Sequence, residues 1–152
     1  MRPKRPVNRN YTIYSDRPAL DGAVYVEIGT GRPGAEQRSE GSIFIQEDSF
    51  RVVHGIIKKH YKKYDHYEMK NISRTTGMKI LANLREAADR VLACNGKDIL
   101  SVLEYVIESS PKTVNEFINS KASISKMLVG LADHIEHAYE NDEWICVAGV
   151  SF

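Results

Sequence analysis

Hydrophobic and polar positions follow one rhythm at the two ends of the chain and another in the middle. The runs "YTIY" (11–14), "AVYVEI" (23–28) and "SIFIQ" (42–46) are rich in β-branched and aromatic residues at near-alternating positions, which predicts three strands. Between the first two, "SDRPALDG" carries the Pro and Asp-Gly punctuation of a turn. The stretch 29–41, "GTGRPGAEQRSEG", has four glycines and a proline and reads as a loop. It fits neither the dinucleotide fingerprint nor the Walker pattern, so it is no phosphate loop.

From Asp48 the period changes to that of a helix, with Phe50, Val53, Ile56, Ile57 and Tyr61 on one face and Asp48 or Ser49 placed as a cap. Lys58, Lys59, Lys62 and Lys63 fall near its C-terminal end, where positive charge suits the helix dipole. Residues Glu68–Ser73 suggest a short extended piece. A second helix over Thr75–Ala93 turns Ile80, Leu81, Leu84, Ala88, Val91 and Leu92 inward, with Arg85–Asp89 and Glu86–Arg90 as i,i+4 pairs outside. Asn95-Gly96 stops it, and Asp98 is placed to cap a third helix over Ile99–Ser109. Ser110-Pro111 opens a short helix containing Val114, Phe117 and Ile118. A long helix over Ser123–Asn141 follows, and "WICVAGVSF" (144–152) closes the chain as a strand.

Strands, then helices, then one strand define an α+β fold. The expected architecture is a mostly antiparallel sheet, three N-terminal strands plus the C-terminal one, packed with four to five helices. The last strand is apolar in both alternation classes, which predicts a central position beside one of the first three.

Composition changes this picture little. A chain of 152 residues with 42% apolar and 27% charged residues suits one domain, residues 1–152. Residues 1–9, with two prolines and four basic side chains, are expected to form a loose arm. Cys94 and Cys146 form no disulfide or zinc pattern. Neither a signal-peptide core nor an apolar membrane span is recognisable, so a cytoplasmic protein is expected. Net charge is +1, but residues 1–75 carry 14 Lys/Arg against 9 Asp/Glu and residues 76–152 carry 7 against 11. Such an asymmetry can mark a face for a charged partner.

The residues offer several candidate sites. In the last helix the apolar stripe is Ile124, Met127, Leu128, Leu131, Ile135, Ala138 and Tyr139, with His134 at its edge and His137 outside it. These two histidines lack the HExxH spacing and a third ligand, so no metal is expected. Glu136, Glu140, Asp142 and Glu143 leave an acidic patch able to receive a basic partner. The corner "YDHY", Tyr64, Asp65, His66 and Tyr67, is the second candidate, because exposed tyrosine is enriched in binding hot spots. A plainer reading makes it structural: Tyr61 packs inside, Asp65 and His66 shape the turn, and the tyrosines bury their rings. With its lysines, the segment 58–67 also suits stacking on bases and contacting phosphates, which makes nucleic-acid binding the alternative function. No catalytic motif or cofactor fingerprint is present, so no catalytic residue and no cofactor is expected.

Three stretches, "SFRVVHGIIKKHYKKYDHYEMKNIS", "GMKILANLREAADRV" and "LADHIEHAYENDEWICVAGVSF", resemble small bacterial immunity proteins of contact-dependent growth inhibition and other polymorphic toxin systems. The likeness spans about residues 49–93 and 128–150. It implies a cytosolic protein without chemistry of its own that binds and blocks one cognate toxin C-terminal domain. Such toxins are often basic nucleases, which would make Glu136–Glu143 the preferred surface. The resemblance leaves the toxin's identity and the oligomeric state open.

Overall fold

The computed structural model describes residues 9–15, 24–30, 41–65, 68–107 and 109–151. In chain order the elements are β1 (Val24–Thr30), β2 (Ile43–Gln46), α1 (Glu47–His60), β3 (Lys70–Ser73), α2 (Arg74–Ala93), α3 (Asp98–Val102), α4 (Pro111–Asn119), α5 (Lys121–Asn141) and β4 (Trp144–Ser151). The fold is α+β, as expected.

The four strands form one antiparallel sheet in the order β2-β1-β4-β3. The C-terminal strand is therefore central, paired with β1 (Ile28 opposite Val147) and with β3 (Ile72 opposite Ile145). Ile145 and Val147 enter the main core, while Cys146 and Ala148 are buried on the opposite face, which explains the absence of alternation. Three strands were expected ahead of the helices, and the structure corrects this. "YTIY" contributes only an isolated bridge, Tyr14 with Phe44, and the fourth strand is the short piece at Lys70–Ser73. Tyr14 packs edge-on against Tyr25 on the sheet face away from the helices, at 6.1 Å between centroids.

Ile28, Ile72, Ile145 and Val147 of the sheet meet Phe50 and Ile57 of α1, Ile80 of α2, and Leu131 and Ile135 of α5 around a small internal void. The principal helix pair is α2 with α5, and small residues let it close. Ala87, Ala88 and Ala132 are buried along it, and the Ser125 hydroxyl donates to the Ala88 carbonyl at 2.9 Å. Gly77 is required where Tyr139 crosses, since a Cβ there would sit 1.9 Å from the Tyr139 hydroxyl oxygen. That hydroxyl donates to the carbonyls of Ile72 and Ser73 at 2.9 and 3.1 Å, tying α5 to β3.

Several local expectations need correction. Leu92 is exposed, because Ala88 and Val91 already occupy the inward face of α2. Arg85 turns to α5 rather than to Asp89, whereas Arg90 and Glu86 do pair, at 3.5 Å. The expected helix over 99–109 ends at Val102, because Glu104 takes a left-handed conformation (φ 54°) that stops it. Neither α1 nor α3 has a side-chain cap bond. Their N-caps are Gln46 and Lys97, and the Ser49 hydroxyl instead reaches the Asn10 carbonyl at 2.5 Å. At α4 the expected start holds, with Ser110 accepting from the Thr113 N–H and Pro111 in the first turn.

Residues 1–8 of the expected arm lie outside the described residues. Arg9 is anchored. Its guanidinium is 2.6 Å from a Glu116 carboxylate oxygen, donates to the Asp48 carbonyl at 3.0 Å, and stands 5.1 Å above the Phe117 ring centroid.

Candidate protein-binding surface

The acidic patch sits on the last turns of α5 and the connection into β4. Asp133, Glu136 and Glu140 are spaced i, i+3 and i+7, so they form one stripe about 10 Å long on the helix surface. Glu143 extends it past the helix end, and all four side chains are exposed. Asp142, the C-cap residue, is half-buried, and its N–H donates to the Ala138 carbonyl at 3.1 Å.

Two arginines of α2 brace this stripe from one side. Eleven residues apart, Arg74 and Arg85 project from nearly the same face of α2. Arg85 reaches Glu136 at 2.8 Å and Asp133 at 3.2 Å, and its hydrogen bond holds the Glu136 carboxyl below its ordinary pKa. Arg74 donates to the carbonyls of Tyr139 and Asp142 and lies 3.4 Å from the Glu143 carboxylate, while its N–H donates to the Glu143 carbonyl at 2.9 Å. A cation at the C-terminus of α5 satisfies carbonyls that the helix itself leaves open. Five carboxylates face two arginines here, so the surface is negative overall. His137 is exposed, with Nδ1 3.3 Å from Glu140. His134 is half-buried, and its Nε2 bonds to the Ile28 carbonyl of β1 at 3.0 Å, so it positions α5 on the sheet.

In the "YDHY" corner the plainer, structural reading holds for Tyr64. Tyr64 is only 2% exposed, and its ring packs against His54 and Phe50 at 5.1 and 6.4 Å between centroids. The chain turns back after α1, with the Tyr64 N–H donating to the Tyr61 carbonyl, and folds the ring over the helix it has just left. Burial raises the Tyr64 pKa well above its usual value. Tyr61 is partly buried against the core. Asp65 is half-buried, and its carbonyl accepts from the Glu68 N–H at 3.2 Å, while His66 and Tyr67 lie outside the described residues. Lys58, Lys59, Lys62 and Lys63 are all exposed.

One feature had no sequence signal. A cleft of about 810 Å³ opens between residues 9–13 and the first half of α5, with Tyr11, Ile13, Ser123, Lys126 and Met127 among its walls. It arises because the N-terminal segment crosses α5 at Gly130, where a Cβ would fall 2.7 Å from Ile13. Among the described residues, no group of three or more His, Cys, Asp or Glu side chains is placed to hold a metal ion. Among them also, no helix is long and apolar enough to cross a membrane.

Compared with known proteins, the chain matches no family model, no curated protein and no solved structure.

Proposed function

We propose that the protein is an immunity-type inhibitor that binds a basic toxin domain stoichiometrically in the cytoplasm and performs no chemistry itself. The observation that carries this reading is the acidic stripe of α5. Arg85 braces Asp133 and Glu136 on the long helix and Arg74 braces Glu143 just past its end, so a partner meets charges that are already oriented. Preset charge of one sign accelerates encounter with a partner of the other sign. The partner would be a nuclease-like domain whose cationic groove the stripe covers, in line with the sequence resemblance.

The test takes any toxin-like domain found encoded beside the gene and applies co-expression, pull-down and stopped-flow association. A one-to-one complex is expected, with its on-rate falling as salt rises. Glu140→Lys with Glu143→Lys should slow association about tenfold or more at low salt while leaving the fold intact. A folded partner that forms no complex, or association indifferent to both reversals, overturns the assignment.

The four exposed lysines at the end of α1 favour a second reading, nucleic-acid binding. Burial of Tyr64 removes one stacking platform from it and leaves mainly phosphate contacts, whose affinity falls steeply with salt. An unshifted RNA and DNA probe at low salt would eliminate this reading.

A further inference from the structure

Two locally unfavourable choices meet at one loop. Glu104 holds a left-handed backbone that residues with a Cβ seldom adopt, and Gly55 lies inside α1, where glycine is a poor helix former. Both belong to the same contact, since a Cβ at position 55 would lie 1.9 Å from the Glu104 carbonyl oxygen. The Glu104 N–H donates to Ser101 and the Tyr105 N–H to Leu100, at 3.1 and 2.9 Å, closing the end of α3 in the manner usually reserved for glycine. Tyr105 is then buried edge-on against Phe117, with centroids 5.0 Å apart. This frame ends in two apolar side chains in water, Val106 at 90% exposure and Ile107 at 51%. Single exposed apolar residues are common, but an adjacent β-branched pair on a strained, fixed frame marks a contact surface.

The rim of this surface is basic. Lys58 and Lys59 are exposed one turn beyond Gly55 on the same side of α1, and Lys62 and Lys63 continue the charge past the helix end. Lys59 pairs with Glu104 at 3.0 Å, and with 53% and 42% of the two side chains exposed the pair is open to exchange. The surface is distinct from the acidic stripe. α1 meets α2 through His60 and Asn83, whereas α5 meets it through Arg85, two residues on and on the opposite side of the helix.

We propose that the end of α1 and the loop 104–107 form a second docking surface, for an acidic protein segment with a large apolar side chain. The apolar group packs on Val106 and Ile107, and a carboxylate of the segment takes the place of Glu104 on Lys59. This assignment does not depend on the proposed inhibitor function.

Panning a random peptide phage library on the immobilised full chain tests it, with synthetic versions of the enriched peptides titrated by calorimetry. The expected consensus has carboxylates flanking a large apolar residue. Val106→Ser with Ile107→Ser should weaken those peptides about tenfold, as should Lys58→Glu with Lys59→Glu, while Glu104→Gln should tighten them several-fold by freeing Lys59. All five positions are at the surface, and unchanged thermal unfolding will confirm folded variants. The proposal is overturned if no acidic consensus emerges, or if the serine variant binds the peptides as well as the parent. It is also overturned if the surface instead takes an RNA duplex or phosphatidylglycerol vesicles and ignores the peptides.

Discussion

At the scale of single residues, the fold depends on a few positions where a backbone or hydroxyl group comes unusually close. Gly77 and Tyr139 form one such pair. Gly77→Ala would push the Tyr139 hydroxyl off the carbonyls of Ile72 and Ser73, so a loss of about 2–4 kcal/mol is expected in urea unfolding. Tyr139→Phe alone should cost about 1–2 kcal/mol. Combining the two should cost less than their sum, because both single changes forfeit the same hydroxyl hydrogen bonds, although the ring carbons at 2.3 and 2.4 Å still meet the new methyl. Strict additivity would show that the close approach is relieved in some other way. Glu104 is the opposite case. Glu104→Gly removes left-handed strain and gives up only an exposed ion pair, so a gain of about 0.5–1 kcal/mol is expected. A drop in the urea midpoint would mean that the pair with Lys59 outweighs the strain.

At the scale of elements, α5 is held at its middle by His134 and at its end by Arg74. Burial lowers the His134 pKa below its ordinary 6.5, against the raising effect of the bond to Ile28, and the charge of His137 lowers it further. The unfolded chain therefore takes up this proton first as pH falls. The contribution of His134 is complete above about 6.5 and is lost as pH drops through the lowered folded-state value. Urea midpoints measured between about pH 7.5 and 5 should fall, and His134→Gln should flatten that part of the profile. An unaltered profile in the variant would place the titration elsewhere. Arg74 supplies the positive end group that α5 lacks in its own last turn. Arg74→Ala should cost about 1–3 kcal/mol and loosen Glu143, the outermost carboxylate of the stripe.

At the scale of the whole molecule, charge is separated across α2, with the carboxylates of α5 on one side and the lysines of α1 on the other. A protein of net charge +1 can thus present two opposite fields. Partners of opposite charge should bind the two faces independently. Reversal of Glu140 and Glu143 should leave binding at Val106 and Ile107 within about twofold, and the serine pair at 106 and 107 should spare the acidic face. Coupling between the faces, measured by titrating one partner in the presence of the other, would show that α2 transmits a change.

Sequence alone determined most of the elements and the α+β class, because periodicity of two or of 3.6 is a local property of the chain. The final strand announced its central place by being apolar in both alternation classes, and Ser110-Pro111 announced α4, since capping is also local. The acidic stripe was legible too, because exposed helix positions follow from the buried ones. Tertiary structure alone decided the rest. It removed "YTIY" from the set of full strands and promoted Lys70–Ser73, since a strand exists only where a neighbour pairs with it. It also chose Phe50 and His54 as the groups that cover Tyr64, and turned Arg85 from Asp89 to α5. Finally, it set Glu104 against Gly55, leaving Val106 and Ile107 in water. Each of these depends on contacts between residues far apart in sequence, and no local pattern encodes which distant surface a side chain will meet.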